Sequence, residues 1–138
     1  MTDLYPLGPE ARLAVMTLLL ELQDALDEPW TLESMAARAG YDPFHFARGF
    51  QRVVGQPPLR YLRSLRLERA AHDLVFMPDK PLLDVGVAAG YSSPEAFRRA
   101  FVRLFGIPPS AMRLRPRATA RGRPRPTPVN LARPDGLR

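Results

Sequence analysis

The sequence predicts an all-α fold, in which two helix-turn-helix subdomains are joined by a long connector helix and followed by a disordered C-terminal tail. Three observations support this prediction. A helical pattern at residues 42–55 recurs at residues 93–106. A long stretch with helical periodicity separates the two copies. After residue 113 the periodicity is lost among prolines and arginines, which predicts the tail.

The repeated pattern has clear helix ends. In the second copy Ser93 is a suitable N-cap, Pro94 fits the first helical position, and Gly106 can adopt the left-handed conformation that ends a helix. The predicted inward face consists of Phe97, Phe101, Leu104 and Phe105. The first copy matches the second at a spacing of 51 residues: Pro43 with Pro94, Phe46 with Phe97, Arg48 with Arg99, Phe50 with Phe101, Arg52 with Arg103 and Gly55 with Gly106.

The first helix is predicted from about Pro9 to about Asp27, because Glu28 and Pro29 end the pattern. Its apolar residues form a broad stripe that fits a packing helix, although the acidic remainder also allows a partner-binding helix. The stripe consists of Leu13, Met16 and Leu20 with the neighbouring Val15, Leu19, Leu22 and Leu26.

Two short helices precede the repeated ones and complete each helix-turn-helix. Thr31 caps the first, predicted over 32–39, and Gly40 supplies a left-handed turn before Asp42 caps the helix at 43–54. Its inward residues are predicted to be Met35, Ala36 and Ala39. The equivalent helix of the second unit runs over 82–89, with Leu83, Val85 and Ala89 inward. Gly86 within it costs about 1 kcal/mol of helix stability relative to alanine, and the sequence leaves open whether a close contact with another helix requires it.

The predicted domain comprises residues 1–113, and residues 114–138 form the tail. The units span about 12–56 and 81–113, with the connector helix at 59–76. Eight arginines and Asp135 give residues 113–138 a charge of +7, so the remaining 112 residues sum to −1 and the excess positive charge lies at the C-terminal end. Such a tail is either a solvated basic segment or one that binds phosphates without sequence preference.

The composition excludes several classes of site. Cysteine is absent, and His45 and His72 have no partnering acidic cluster, so neither a metal site nor a cofactor is expected. No nucleophile–base pair or phosphate-binding loop is present, so the chain is predicted not to be an enzyme. No apolar run is long enough to span a membrane.

The ordered motifs resemble the DNA-binding domain of the AraC/XylS transcription regulators. The resemblance extends from about Arg12 to Arg113, and its main carriers are Ala39-Gly40-Tyr41, Phe46-Ala47-Arg48-Gly49-Phe50, Gly55-Gln56-Pro57-Pro58, Ala89-Gly90-Tyr91-Ser92-Ser93, Phe97-Arg98-Arg99-Ala100-Phe101 and Phe105-Gly106-Ile107-Pro108-Pro109. The sequence departs from the family at Gly86, where alanine is usual, and at Met112, where an aromatic residue is usual. The resemblance implies a sequence-specific transcription regulator that reads two successive major-groove segments with the helices at 43–54 and 94–105, here called the reader helices.

The resemblance also implies the partners. The expected partners are double-stranded DNA and RNA polymerase. The protein is expected to be a bacterial-type activator that is cytoplasmic and binds DNA as a monomer. No effector domain is expected in this chain. Two alternatives stay open: the protein resembles a small stand-alone activator, or it is a regulator that lost its sensor domain. A protein-interaction module with a basic face is the alternative from another class.

The resemblance implies that base-reading residues lie in the first two turns of each reader helix, at Phe44, Ala47, Arg48, Glu95, Ala96, Arg98 and Arg99. Each arginine can present two donors to guanine, whereas Glu95 can accept from cytosine or merely favour the helix N-terminus. Phe44 can contact a thymine methyl, a sugar or the core. Phosphate contacts are expected from His45, Gln51, Arg52 and Arg103.

Overall fold

The computed structural model describes residues 8–115, which are all-α as predicted. The helices are α1 Pro9–Asp24, α2 Leu32–Ala39, α3 Pro43–Val54, α4 Pro58–Phe76, α5 Leu82–Ala88, α6 Pro94–Phe105 and α7 Pro109–Arg113. The described chain divides into two compact units, one ending at Leu62 and the other beginning at Arg63, so α4 contributes residues to both. Residues 116–138, where the disordered tail was predicted, lie outside the described residues.

In the first unit, α1 packs against α2 and α3. The turn between α2 and α3 is fixed by Gly40, whose φ of 88° is open to glycine and strained for most other residues. The N-terminus of α2 has a reciprocal cap, in which Ser34 N–H donates to Thr31 Oγ1 at 3.0 Å and Thr31 N–H donates to Ser34 Oγ at 2.9 Å. The core consists of Val15, Leu18, Leu19, Leu22, Met35, Ala36, Phe46, Phe50, Val54, Tyr61 and Leu62.

In the second unit, the later part of α4 supplies the surface on which α5 and α6 pack. The buried cluster consists of Leu67, Ala70, Leu74, Val85, Ala89, Phe97 and Phe101. Gly86 is close to this cluster, because a Cβ added there would lie 3.1 Å from the Phe97 ring. The glycine therefore allows a close contact between α5 and α6, a point that the sequence left open. At the α4–α5 turn, the Arg113 guanidinium donates to the carbonyl oxygen of Lys80 at 2.6 Å.

The prediction for α1 was wrong in its end and in part of its buried face. The helix ends at Asp24, and Ala25 leaves the helical conformation with φ −133° while its carbonyl accepts from the Trp30 indole at 2.9 Å. Leu13 and Leu20 are 66% and 67% exposed, and Met16 is 42% exposed. The buried set is Ala11, Val15, Leu18, Leu19 and Leu22. Leucines surround this helix, so their spacing alone could not tell which side packs.

Two residues of the second unit were also assigned to the wrong face. Leu83 is 58% exposed, because Val85 and Ala89 define the inward side of α5 and Leu83 lies about 200° around the helix from Val85. Leu104 is 38% exposed, because the inward face of α6 follows the spacing of Phe97, Phe101 and Phe105. Ala39, predicted inward, is half-buried.

The other predicted helix bounds agree closely with the structure. α2, α3 and α6 have the predicted limits, α4 begins one residue earlier than predicted, and α5 ends one residue earlier. None of the helices in residues 8–115 is both long and apolar enough to cross a membrane.

Candidate nucleic-acid interface

The first reader helix, α3, is fixed at both ends and along its inner face. The Asp42 carboxylate accepts from the backbone N–H of His45 at 3.0 Å, and Gly55 ends the helix with φ 97°. Phe46 and Phe50 are fully buried, with ring centroids 5.5 Å apart. The remaining face of α3 is therefore held in a defined orientation toward solvent.

The second reader helix, α6, is built in the same way. The Ser93 hydroxyl accepts from the backbone N–H of Ala96 at 3.1 Å, and Gly106 ends the helix with φ 82°. The ring centroids of Phe97 and Phe101 are 5.6 Å apart, and both residues are buried. The repeat seen in the sequence is thus a repeat of helix ends and anchoring aromatic residues.

The candidate base-reading residues of α3 form a small aromatic and cationic surface. Phe44 is 64% exposed and is therefore not a core residue. The guanidinium carbon of Arg48 lies 5.6 Å from the centre of the Phe44 ring, within the range of a cation–π contact. Arg48 is exposed and Ala47 is half-buried between this surface and the core.

The candidate base-reading residues of α6 are mostly charged. Glu95, Arg98 and Arg99 are exposed, and Ala96 is half-buried. Within residues 8–115 no ion pair engages either arginine. Their donors are therefore available to an external acceptor such as a base edge or a phosphate.

The four candidate phosphate-binding residues differ in their surroundings. Gln51, Arg52 and Arg103 are exposed, whereas His45 is half-buried and its Nδ1 lies 2.6 Å from Asp42 Oδ2. This contact leaves Nε2 as the ring nitrogen available to a phosphate. The hydrogen bonds from the His45 side chain and backbone hold the pKa of Asp42 below its ordinary value.

A cationic cluster in the second unit was missed in the sequence. Tyr91 is half-buried against Phe97, with ring centroids 5.8 Å apart. Burial raises the pKa of the Tyr91 phenol, and the nearby charges of Arg63, Arg103 and Arg66 oppose that rise. The recurrence of Arg60, Arg63, Arg66 and Arg69 at every third residue of α4 was visible in the sequence. Their approach to Tyr91 was not, because it depends on how α4 packs within the unit.

Comparisons with known proteins agree with this geometry. A family model described as a helix-turn-helix domain matches residues 35–115. The regulatory protein SoxS of Salmonella typhimurium is 32% identical over 101 residues, which cover 73% of this chain and 94% of SoxS. The right origin-binding protein of Escherichia coli is 34% identical over 108 residues, or 78% of this chain. The chain spans only 37% of that relative's length.

A solved structure is similar in both fold and sequence. The DNA-binding domain of AdpA, a global transcriptional factor crystallised in complex with a target DNA, superimposes with a TM-score of 0.68 at 30% identity. The match covers 79% of this chain and 98% of that domain. Together with the coverage of SoxS and the paired, capped helices described above, it places the chain in the AraC/XylS family of helix-turn-helix proteins.

Proposed function

We propose that the chain is a sequence-specific DNA-binding transcription regulator that reads two successive major-groove segments with α3 and α6. One observation carries the proposal: both units hold a capped helix on buried phenylalanines and expose an arginine at the matching position, Arg48 or Arg99. Major grooves admit an α-helix, and arginine is the side chain most often used to recognise guanine there. The complex of the AdpA domain with its target DNA supports this use of the fold.

The proposed base-reading set is uneven between the helices. On α3 it consists of Phe44, Ala47 and Arg48, and on α6 of Glu95, Ala96, Arg98 and Arg99. Phe44 and Glu95 lie near the starts of α3 and α6, and both are exposed. This exposure fits contacts with base edges. His45, Gln51, Arg52 and Arg103 are proposed to contact phosphates, which orient the protein without reading sequence.

The proposed organisation assigns DNA recognition to residues 1–113, with units at about 12–56 and 81–113, and leaves 114–138 as a basic tail. On this account the protein has no catalytic role and acts as a monomer on DNA in the cytoplasm. RNA polymerase is the proposed second partner that it binds. Membership of the family supports these assignments, and the charge of +7 on residues 113–138, against −1 on the rest of the chain, supports the separation of a basic tail.

Selection from a pool of randomised duplexes tests the proposal. We expect enrichment of one bipartite site whose two conserved segments are about one helical turn apart, protected over about 20 base pairs. Binding should weaken with salt on specific and random duplexes alike, but the preference for the selected site should persist. A pool that enriches no sequence, combined with binding to an acidic protein, would instead indicate a protein-interaction module.

A further inference from the structure

The outward face of α1 carries an apolar ridge formed by Leu13, Met16 and Leu20. These side chains follow the spacing i, i+3 and i+7, which places them on one side of the helix. All three are exposed, Leu13 and Leu20 by about two thirds. A single exposed leucine is ordinary, but a contiguous row of large apolar side chains is a mark of a binding surface.

The positions of α4 that correspond to the ridge are covered rather than exposed. The later part of α4 packs in that unit as α1 packs in the first: Leu67, Ala70 and Leu74 are buried at the same spacing as Val15, Leu18 and Leu22. In this register, 52 residues on, Leu13 corresponds to the buried Leu65, and Met16 and Leu20 correspond to the half-buried Glu68 and His72. Of the two helices, only α1 therefore leaves large apolar side chains exposed at these positions.

A groove of about 320 Å³ lies beside the ridge, between α1 and α2. Leu13, Ala14 and Leu18 supply apolar walls, and Glu10 and Glu21 lie along it. Glu21 is paired with Arg38 at 3.0 Å. Residues 8–33 contain six acidic residues and a single arginine, and Arg38 adds one positive charge at the groove itself, so the surroundings are acidic on balance. The surface therefore suits a segment that combines basic with apolar residues.

We propose that this surface of α1 binds residues 116–138 of the same chain when DNA is absent, and that DNA competes with α1 for them. Those residues contain six arginines against Asp135, and their apolar side chains are Val129, Leu131 and Leu137. The charge complementarity selects this occupant, since the acidic surface and the basic segment belong to one chain. The competition with DNA rests on the proposed function, whereas the docking on α1 does not.

The covalent tether makes weak contacts sufficient. Twenty-three residues reach about 75 Å when fully extended, compared with a radius of gyration of about 13 Å for a folded chain of about 100 residues. A tether of this kind gives an effective concentration in the millimolar range. Exposed ion pairs contribute little one by one and are screened by salt, so the docking should disappear as the ionic strength rises.

Paramagnetic relaxation in the full chain tests the docking directly. The chain has no cysteine, so the substitution Ala132→Cys allows a single nitroxide label to be attached. In low salt and without DNA, we expect the label to broaden the amide signals of α1 near Leu13 and Leu20 several times more than those of α6. The effect should not change on dilution, and about 0.5 M NaCl should remove it.

Matched variants identify the surface. The double substitution Glu10→Gln and Asp24→Asn, and separately Leu20→Ser, should each reduce the α1 broadening at least about twofold, since they remove exposed charges or exposed apolar area. Asp79→Asn, an exposed acidic residue of the second unit, is the control and should leave it unchanged. An α1 signal that the label does not broaden overturns the docking. So does broadening seen only when label and isotope are on different molecules, which would assign the surface to a second copy.

Addition of a random-sequence duplex tests the competition. The α1 broadening should disappear in proportion to the DNA bound, and the Glu10→Gln/Asp24→Asn variant should bind that duplex severalfold more tightly at low salt. Broadening that persists with saturating duplex overturns the competition. Because the docking is measured without DNA, its failure is distinguishable from a failure of the proposed recognition of DNA.

Discussion

The two reader helices share a scaffold but expose different chemistry. α3 and α6 have the same length, a glycine end in the left-handed conformation and a buried phenylalanine pair. At matching exposed positions, Arg48 corresponds to Arg99, but Phe44 corresponds to Glu95. The fold therefore fixes where a side chain is presented and leaves its identity free. Under the proposed function, we therefore expect the two units to recognise different base sequences.

The helix starts differ in the same manner. α3 is capped by Asp42, whose carboxylate also contacts the His45 ring, whereas α6 is capped by the uncharged hydroxyl of Ser93. Either group satisfies the free N–H groups of a first turn. Only the first unit, however, has a cap whose strength depends on pH.

The largest expected effect tests the shared scaffold. Phe50→Ala and Phe101→Ala should each destabilise the protein by about 3–5 kcal/mol, because both side chains are fully buried and their removal leaves a cavity. Urea denaturation followed by circular dichroism measures the loss. Phe44→Ala is the control on the exposed face and should change stability by less than about 0.5 kcal/mol. A Phe101→Ala transition that coincides with that of the wild type would show that the face assigned as inward is not buried.

A smaller effect separates the two caps. At neutral pH, Ser93→Ala should cost about 1 kcal/mol of stability, and Asp42→Ala should also destabilise the protein because it removes the corresponding N-cap. The pKa of Asp42 is lowered in the folded state, so its contribution is present above the unfolded pKa of about 3.9 and is lost as the pH falls through the lower folded value. The cost of Asp42→Ala should therefore shrink between pH 5 and pH 3, whereas that of Ser93→Ala should not. Equal pH dependence of the two costs, measured by urea titration at each pH, would contradict this account of the cap.

The smallest expected effect is that of Gly86→Ala, at the position in α5 that matches Ala36 in α2. Ala36→Gly should cost at least about 1 kcal/mol, since glycine is a poor helix former and the methyl group is buried. The reverse change, Gly86→Ala, should recover less than that, because the new Cβ would lie 3.1 Å from the Phe97 ring. Thermal denaturation of the two variants gives the comparison. A gain from Gly86→Ala as large as the loss from Ala36→Gly would mean that the Phe97 ring moves aside without cost.

Features set by a few neighbouring residues could be predicted from the sequence. Ser93 and Asp42 cap their helices, and Gly40, Gly55 and Gly106 adopt positive φ, as their positions indicated. These features depend on hydrogen bonds within one turn of the chain, so the local sequence determines them. The phenylalanine anchors could also be predicted, because the internal repeat presents the same pattern twice.

Features that depend on packing between helices could not be predicted. The spacing in α1 left open whether Val15 or Leu20 is buried, and in α5 it left Leu83 on the wrong face. Both helices carry apolar residues on more than one side, so only the neighbouring helices decide which side is covered. The approach of Arg63 and Arg66 to Tyr91 likewise depends on the packing of α4 within its unit. The base-reading and phosphate assignments remain predictions.

The central claim, that each unit reads its own segment of DNA, is tested most directly by repeating the duplex selection with Arg48→Ala and Arg99→Ala. Both residues are exposed, so the variants should fold as the wild type does. Each should lose about 1–3 kcal/mol of specific binding and relax the preference at one base position. The relaxed positions should lie in different segments of the bipartite site. Variants that select the wild-type site with unchanged affinity, or that relax the same position, would contradict the claim.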